Sequence, residues 1–273
     1  MPELPEVEAV RRGLEDRLVG KSLTEVRVRE PRLRRPVPPL SPWVGRRLLR
    51  VERRGKYLLW RFDEGTLLVH LGMSGHFAFA APEVPPGRHD HVDFLFEENL
   101  LRYTDPRRFG LILPLDAAAE RALEARLGLE PWDARLTPAL ARERVQERRR
   151  AIKEVLLAGD VVVGAGNIYA CEALFHAGIH PDRPAGTLGE EDWARLLAAL
   201  RAVFEAAIAA GGTTLRDHRT VEGKGGEYRD RLAVYGREGE PCPRCAAPVR
   251  RVLQGGRSTF FCPVCQSPGR TAW

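Results

Sequence analysis

The chain has 273 residues, 43 Lys and Arg against 37 Asp and Glu, a formal charge of +6, and 44% hydrophobic residues. That length exceeds the ~100–150 residues of a typical domain, so two or three domains are expected, and the composition excludes a disordered chain. No apolar run reaches ~18 residues and the acidic start MPELPEVEAV carries no apolar signal core, so neither a membrane partner nor secretion is expected.

Residues 1–20 read as a short helix. Pro5 suits the first turn, Glu6 and Glu8 favour the positive helix start, and Val7, Val10, Leu14 and Leu18 recur at helical spacing. Residues 23–115 alternate or run apolar between turn signals such as Asp63-Glu64-Gly65, which predicts an antiparallel sandwich or barrel. Residues 116–128 are helical, and Pro131 begins a junction. ALARERVQERRRAIKEVLLAG predicts one helix ending at Gly159, NIYACEALFHAG another from Asn167, and an Ala/Leu-rich run a long helix over about 190–210. Residues 211–234 are Gly-rich and charged, a loop expected to move. Of the 43 basic residues 39 are Arg, leaving only Lys21, Lys56, Lys153 and Lys224. Asn99 and Asn167 are the two asparagines. That bias fits a GC-rich genome or a heat-adapted protein, and it makes the few Lys and Asn conspicuous.

Cys242-Pro-Arg-Cys245 and Cys262-Pro-Val-Cys265 lie 16 residues apart. Two such corners fit one tetrahedral zinc ion in a reducing compartment better than a disulfide framework. The segment between them reads as a hairpin with its turn at Gln254-Gly255-Gly256-Arg257. It is too short for a core of its own, so metal is expected to supply its folding energy. The finger is either a structural staple or a phosphate grip, with Arg250 and Arg251 leading to the tip. Cys171 reads as a buried helix residue.

Pro2 follows the initiator Met. Removing Met1 would expose a secondary amine that titrates near ~8, a nucleophile at working pH, with Glu3 and Glu6 beside it as candidate acid and base. Taken alone, Pro2 is better explained as a residue that helps start the helix. His89, Asp90 and His91 admit a metal reading, but a turn against DNA suits them better.

Several strings then coincide in order: MPELPEVE, GKYLL, HLGMSG, HDHVD, YTDPRRFG, VVGAGNIYACEALF, GIHP, GGTTL and the terminal cysteine pairs. Together they resemble the bacterial formamidopyrimidine-DNA glycosylase family over nearly the whole chain. The related endonuclease VIII group more usually begins PEGPE, where this chain has Leu4.

The resemblance implies an α+β multi-domain fold. Residues 1–130 would form a catalytic antiparallel β-sandwich flanked by helices, and 131–234 a helix–two-turn–helix DNA-binding domain with a lesion-capping loop at 216–228. Residues 235–273 would form a four-cysteine zinc finger holding one structural Zn2+ on Cys242, Cys245, Cys262 and Cys265.

It also implies a chemistry. Pro2 attacks C1′ of the damaged nucleotide, Glu3 relays protons, and β- then δ-elimination follow from the resulting Schiff base. Lys56 and Arg257 match the family's other catalytic positions. His70, His89, Arg107, Arg149 and Asn167 are the expected DNA contacts; Asn167 opens a helix after two glycines, where free N–H groups and the dipole favour phosphate. Because the target base must leave the stack, Met73, Arg107 and Phe109 are expected to fill the hole. The implied partner is double-stranded DNA with oxidised purines, acted on by a monomer in the bacterial cytoplasm. An oxidised-pyrimidine glycosylase and a non-catalytic zinc-finger DNA-binding protein are the alternatives.

Overall fold

The computed structural model describes residues 2–213, 221 and 226–267. Met1 and most of the predicted capping loop lie outside the described residues. The chain clusters into two compact units, Met1–Ala125 with Ile208–Arg229, and Arg126–Ala207 with Asp230–Trp273.

The first unit begins with helix α1 (Leu4–Leu18), whose buried Leu4, Val7, Val10, Leu14 and Leu18 form one apolar stripe. Eight strands follow: β1 (Leu23–Val28), β2 (Leu48–Arg54), β3 (Tyr57–Phe62), β4 (Thr66–His70), β5 (His76–Ala80), β6 (Asp90–Phe96), β7 (Asn99–Thr104) and β8 (Leu111–Pro114). They make two four-stranded sheets, ordered β1-β6-β7-β5 and β2-β3-β4-β8, with every pair antiparallel. This is the predicted sandwich. One apolar cluster draws on both sheets and on α1. Trp60 of β3 lies 5.4 Å from Phe77 and 5.1 Å from Phe94 of the other sheet. Helix α2 (Ala117–Arg126) closes this stretch of chain.

The second unit holds α3 (Pro138–Glu143), α4 (Ile152–Ala158), α5 (Asn167–Ala177), most of α6 (Glu190–Ala209) and the hairpin β9 (Arg250–Gln254) with β10 (Arg257–Phe261). The single helix predicted across 139–158 is therefore two helices with a break between them. Backbone carbonyls that a continuous helix would use are taken by a distant segment. The N–H groups of Ala185 and Gly186 bond the carbonyls of Arg150 and Arg148 at 2.9 and 3.0 Å, and Ile152 N–H bonds Arg183 O at 2.8 Å. Gly186 permits this approach, since a Cβ there would fall 2.8 Å from the Gln146 carbonyl oxygen. Tertiary hydrogen bonds override a helical pattern here.

The hairpin folds as predicted, around Gly255 and Gly256, both at positive φ (55° and 73°). It is not a free-standing module. Phe260, Val249, Cys242 and Cys262 share an apolar cluster with Cys171 and Phe175 of α5. Arg244 donates to the Phe175 and His176 carbonyls at 3.1 and 3.0 Å, capping α5 at its negative end. The segment, expected to draw its folding energy from metal because it is too short for a core of its own, thus also shares an apolar core with α5.

Candidate functional site

The N-terminal cluster grows out of the helix start. Pro2 is buried, and Glu3 is the N-cap of α1 in a capping box with Glu6. Glu6 Oε2 accepts the Glu3 N–H at 2.8 Å, while Oε1 accepts the Thr213 N–H at 2.7 Å. Both carboxylates are 2% exposed. The PELPE string thus places two buried acids beside the residue carrying the candidate amine, and Glu6 fixes that turn to residue 213. Gly212 makes the approach possible, because a Cβ there would meet the Glu6 side chain at 3.0 Å.

Lys56 lies in the two-residue turn between β2 and β3, after Gly55 at φ +57°. Arg53 supports this turn, donating to the Gly55 carbonyl at 3.2 Å and to Glu8 of α1 at 3.0 Å. His70 pairs across the sheet with Tyr57. Burial, and then the charges of Lys56 and Arg34, push its pKa down to about 4. The ring is neutral at working pH. Its Nδ1 accepts the Gly72 N–H at 2.9 Å, which leaves Nε2 as the donor position.

Met73 and Phe109 are 40% and 43% exposed, and the Arg107 guanidinium lies 5.0 Å from the Phe109 ring centre. His89 is exposed, whereas His91 is buried against the Asp105 carbonyl at 2.7 Å. Among the described residues the only metal-type cluster is that of the cysteines, so the metal reading of His89, Asp90 and His91 finds no support.

In the second unit, Asn167 follows the N-cap Gly166 and does not itself cap α5. Its amide donates to the Ser258 carbonyl of β10 at 2.8 Å and to the Tyr235 hydroxyl at 3.4 Å. Lys153 is fully buried and donates to Thr259 Oγ1 at 2.6 Å. Both hold the strand next to the exposed Arg257. Of the basic run, Arg148 pairs with Asp160 at 2.6 Å and Arg150 with Glu154 at 3.0 Å, while Arg149 between them is exposed.

The Sγ atoms of Cys242, Cys245, Cys262 and Cys265 all lie within 4.8 Å of one another, with 3.9 Å from Cys242 to Cys265 and 3.5 Å from Cys245 to Cys262. A tetrahedral zinc with ~2.3 Å bonds needs sulfurs about 3.8 Å apart, so the donor set fits a closed structural site. Backbone N–H groups of Arg244 and Cys265 point at Cys242 and Cys262, each at 3.4 Å, and would share the thiolate charge.

Two functional-looking groups escaped the sequence reading. Asp105 is wholly buried among the loops carrying Met73 and Phe109. Glu172, also wholly buried, accepts the N–H groups of Ala233, Val234 and Tyr235 at 2.8, 2.9 and 2.8 Å. A charge inside the otherwise apolar run IYACEALF was the available signal for the second.

Fold and clusters together define a class: a zinc-stapled nucleic-acid-binding protein whose second residue is a proline beside two buried acids. Models of the formamidopyrimidine-DNA glycosylase N-terminal domain, its H2TH domain and the zinc finger found in FPG and IleRS match residues 1–112, 127–219 and 239–268. Formamidopyrimidine-DNA glycosylases of Herminiimonas arsenicoxydans and Aromatoleum aromaticum are 49% and 50% identical, each over 97% of this chain and 100% and 99% of their own. The Lactococcus lactis enzyme bound to abasic-site DNA superposes with TM-score 0.90 at 35% identity, over 97% of this chain and 99% of that one. A variant of it bound to Fapy-dG DNA gives the same score and identity. The chain belongs to the formamidopyrimidine-DNA glycosylase family.

Proposed function

We propose that this chain is a bifunctional DNA glycosylase and AP lyase that removes oxidised purines from duplex DNA through a Schiff base on Pro2. The observation that carries the reading is the full-length family match joined to a buried Pro2 beside two buried carboxylates.

After Met1 is removed, the Pro2 nitrogen attacks C1′ and the C1′–N9 bond breaks. The base leaves with a proton, and Glu3 is the group placed to move protons at the base and at O4′. Ring opening gives an iminium, which draws electrons from the C2′–H bond. Loss of that proton expels the 3′ phosphate, and a second proton loss and elimination expels the 5′ phosphate. Water then hydrolyses the iminium, which releases the sugar remnant as an unsaturated aldehyde, frees the Pro2 amine and leaves a one-nucleotide gap. A secondary amine suits this sequence because its iminium is permanently cationic and acts as the electron sink. Lys56 is the candidate proton donor at the sugar, and Arg257 the candidate phosphate grip in δ-elimination. His70 as a neutral donor, with His89, Arg149 and Asn167, supplies phosphate contacts. Met73, Arg107 and Phe109 fill the space left by the extruded nucleotide. Zinc on the four cysteines shapes the finger and takes no part in the reaction. The enzyme would act as a monomer on chromosomal DNA in the bacterial cytoplasm.

Duplexes carrying 8-oxoguanine or thymine glycol separate the reading from an oxidised-pyrimidine enzyme. Faster release of 8-oxoguanine, followed by a gap with phosphate at both ends, is expected. Preference for thymine glycol would overturn the purine assignment, and binding without cleavage of either would leave a DNA-binding protein only.

A further inference from the structure

Met73 and Phe109 stand on different loops, 71–75 and 105–110, and in the proposed function both help to fill the space that the extruded nucleotide leaves. A single carboxylate joins the two loops. Asp105 is 0% exposed. Its Oδ1 accepts the Ser74 hydroxyl at 2.6 Å and the Arg107 N–H at 3.3 Å. Its Oδ2 accepts the Gly110 N–H at 2.9 Å and the Tyr103 hydroxyl at 3.2 Å. Ser74 Oγ in turn accepts the Arg107 N–H at 3.1 Å. The Asp105 backbone is also held, its N–H bonding the His89 carbonyl at 3.0 Å and its carbonyl accepting from His91 Nε2 at 2.7 Å. A buried carboxylate persists only when its lone pairs are met by donors in this way or by a cation.

Steric fit locks the same two loops. A Cβ at Gly72 would come within 2.4 Å of the Phe109 carbonyl carbon, and one at Gly110 within 1.8 Å of the Tyr103 hydroxyl. Arg108, between the two N–H groups that Asp105 holds, adopts φ +56°, a strained conformation for a residue with a side chain. Such strain persists where the surroundings over-determine it. Loop 105–110 is thus wound around its own aspartate and tied through Ser74 to the residue after Met73.

We propose that Asp105 is a positioning residue for base extrusion: its carboxylate makes the Met73 loop and the Arg107–Phe109 loop one preformed wedge. This rests on the reading of Met73, Arg107 and Phe109 as void-filling groups. A wedge assembled in advance avoids ordering two loops when the nucleotide leaves the stack, and so lowers the cost of extrusion. Asp105 contacts no reacting atom in this scheme.

The test compares two substrates with the zinc-loaded, N-terminally processed full chain. One is an 8-oxoguanine·cytosine duplex under single-turnover conditions. The other is single-stranded DNA with a preformed abasic site, where no stacked base has to be displaced. Asp105→Asn is expected to slow duplex excision about tenfold to a hundredfold, the scale of a lost buried charge-assisted hydrogen bond, and to leave single-strand cleavage unchanged. Ser74→Ala, which cuts only the tie between loops, is expected to give the same pattern in weaker form, and it decides the matter if the Asp105 variant does not fold. Equal losses on both substrates would show a merely structural role, and no loss on either would show none; both overturn the proposal. Met73→Ala is the control for the underlying reading. If it excises from duplex at the parent rate, the void-filling assignment fails whatever Asp105 does.

Discussion

Glu172→Ala tests the account of how the finger is held. The carboxylate is fully buried and satisfies three backbone N–H groups in succession, at 2.8 to 2.9 Å. Each orphaned buried donor costs about 1–3 kcal/mol, and relief of the buried charge offsets part of the total, so a loss of about 3–5 kcal/mol is expected in the second unit. Glu172→Gln keeps an oxygen for Val234 and Tyr235 but turns an NH2 group toward the Ala233 N–H, and should lose about half as much. Because two units need not unfold together, the assay is hydrogen exchange resolved to peptides covering 228–236 and 250–262, with urea unfolding alongside. Exchange should accelerate in both segments while sandwich peptides keep their protection. An alanine variant within about 1 kcal/mol of the parent, or with unchanged exchange at 233–235, would refute the reasoning.

Three further outcomes are expected. Glu3→Gln should lower single-turnover base excision by about 10²–10⁴-fold and leave DNA affinity by gel shift near the parent value; retained turnover with lost affinity would contradict the proton-transfer role. Zinc chelation should weaken DNA binding by disordering Arg257, while the apolar contacts with α5 keep the remainder of the second unit folded; unchanged affinity after verified metal loss would contradict the grip assigned to the finger tip. Acid should destabilise the first unit through His70, whose folded pKa of about 4 lies below the free value of 6.5. Between those values the unfolded ring takes up a proton that the folded ring refuses, so the stability present above pH 6.5 is lost toward pH 4, by up to about 1.4 kcal/mol per pH unit. His70→Asn should flatten that slope in urea titrations.

Much of this was legible in the chain itself. Alternation between turn residues gave the strands of the sandwich, and two CxxC corners gave the cysteine cluster, because both signals are local. The capping box of Glu3 and Glu6 is local too, but the Thr213 N–H on Glu6 is not. No pattern in 190–213 says that the chain leaves α6 to return to the first unit. The break at 144–151 was hidden for the same reason, since its cause lies at 183–186. Asp105 and Glu172 were passed over because a sequence shows that an acid is present, not that it is buried with its lone pairs filled by backbone. Lys153 was conspicuous by rarity, yet its burial against Thr259 needed the fold.

The central claim is that the Pro2 nitrogen is the nucleophile. Zinc-loaded protein with Met1 removed, incubated with an 8-oxoguanine duplex and sodium borohydride and then digested, should carry the reduced deoxyribose remnant on the peptide that begins at Pro2. The same protein retaining Met1 should give none. A remnant found instead on Lys56 or another lysine, or no adduct from the processed chain, would contradict the account.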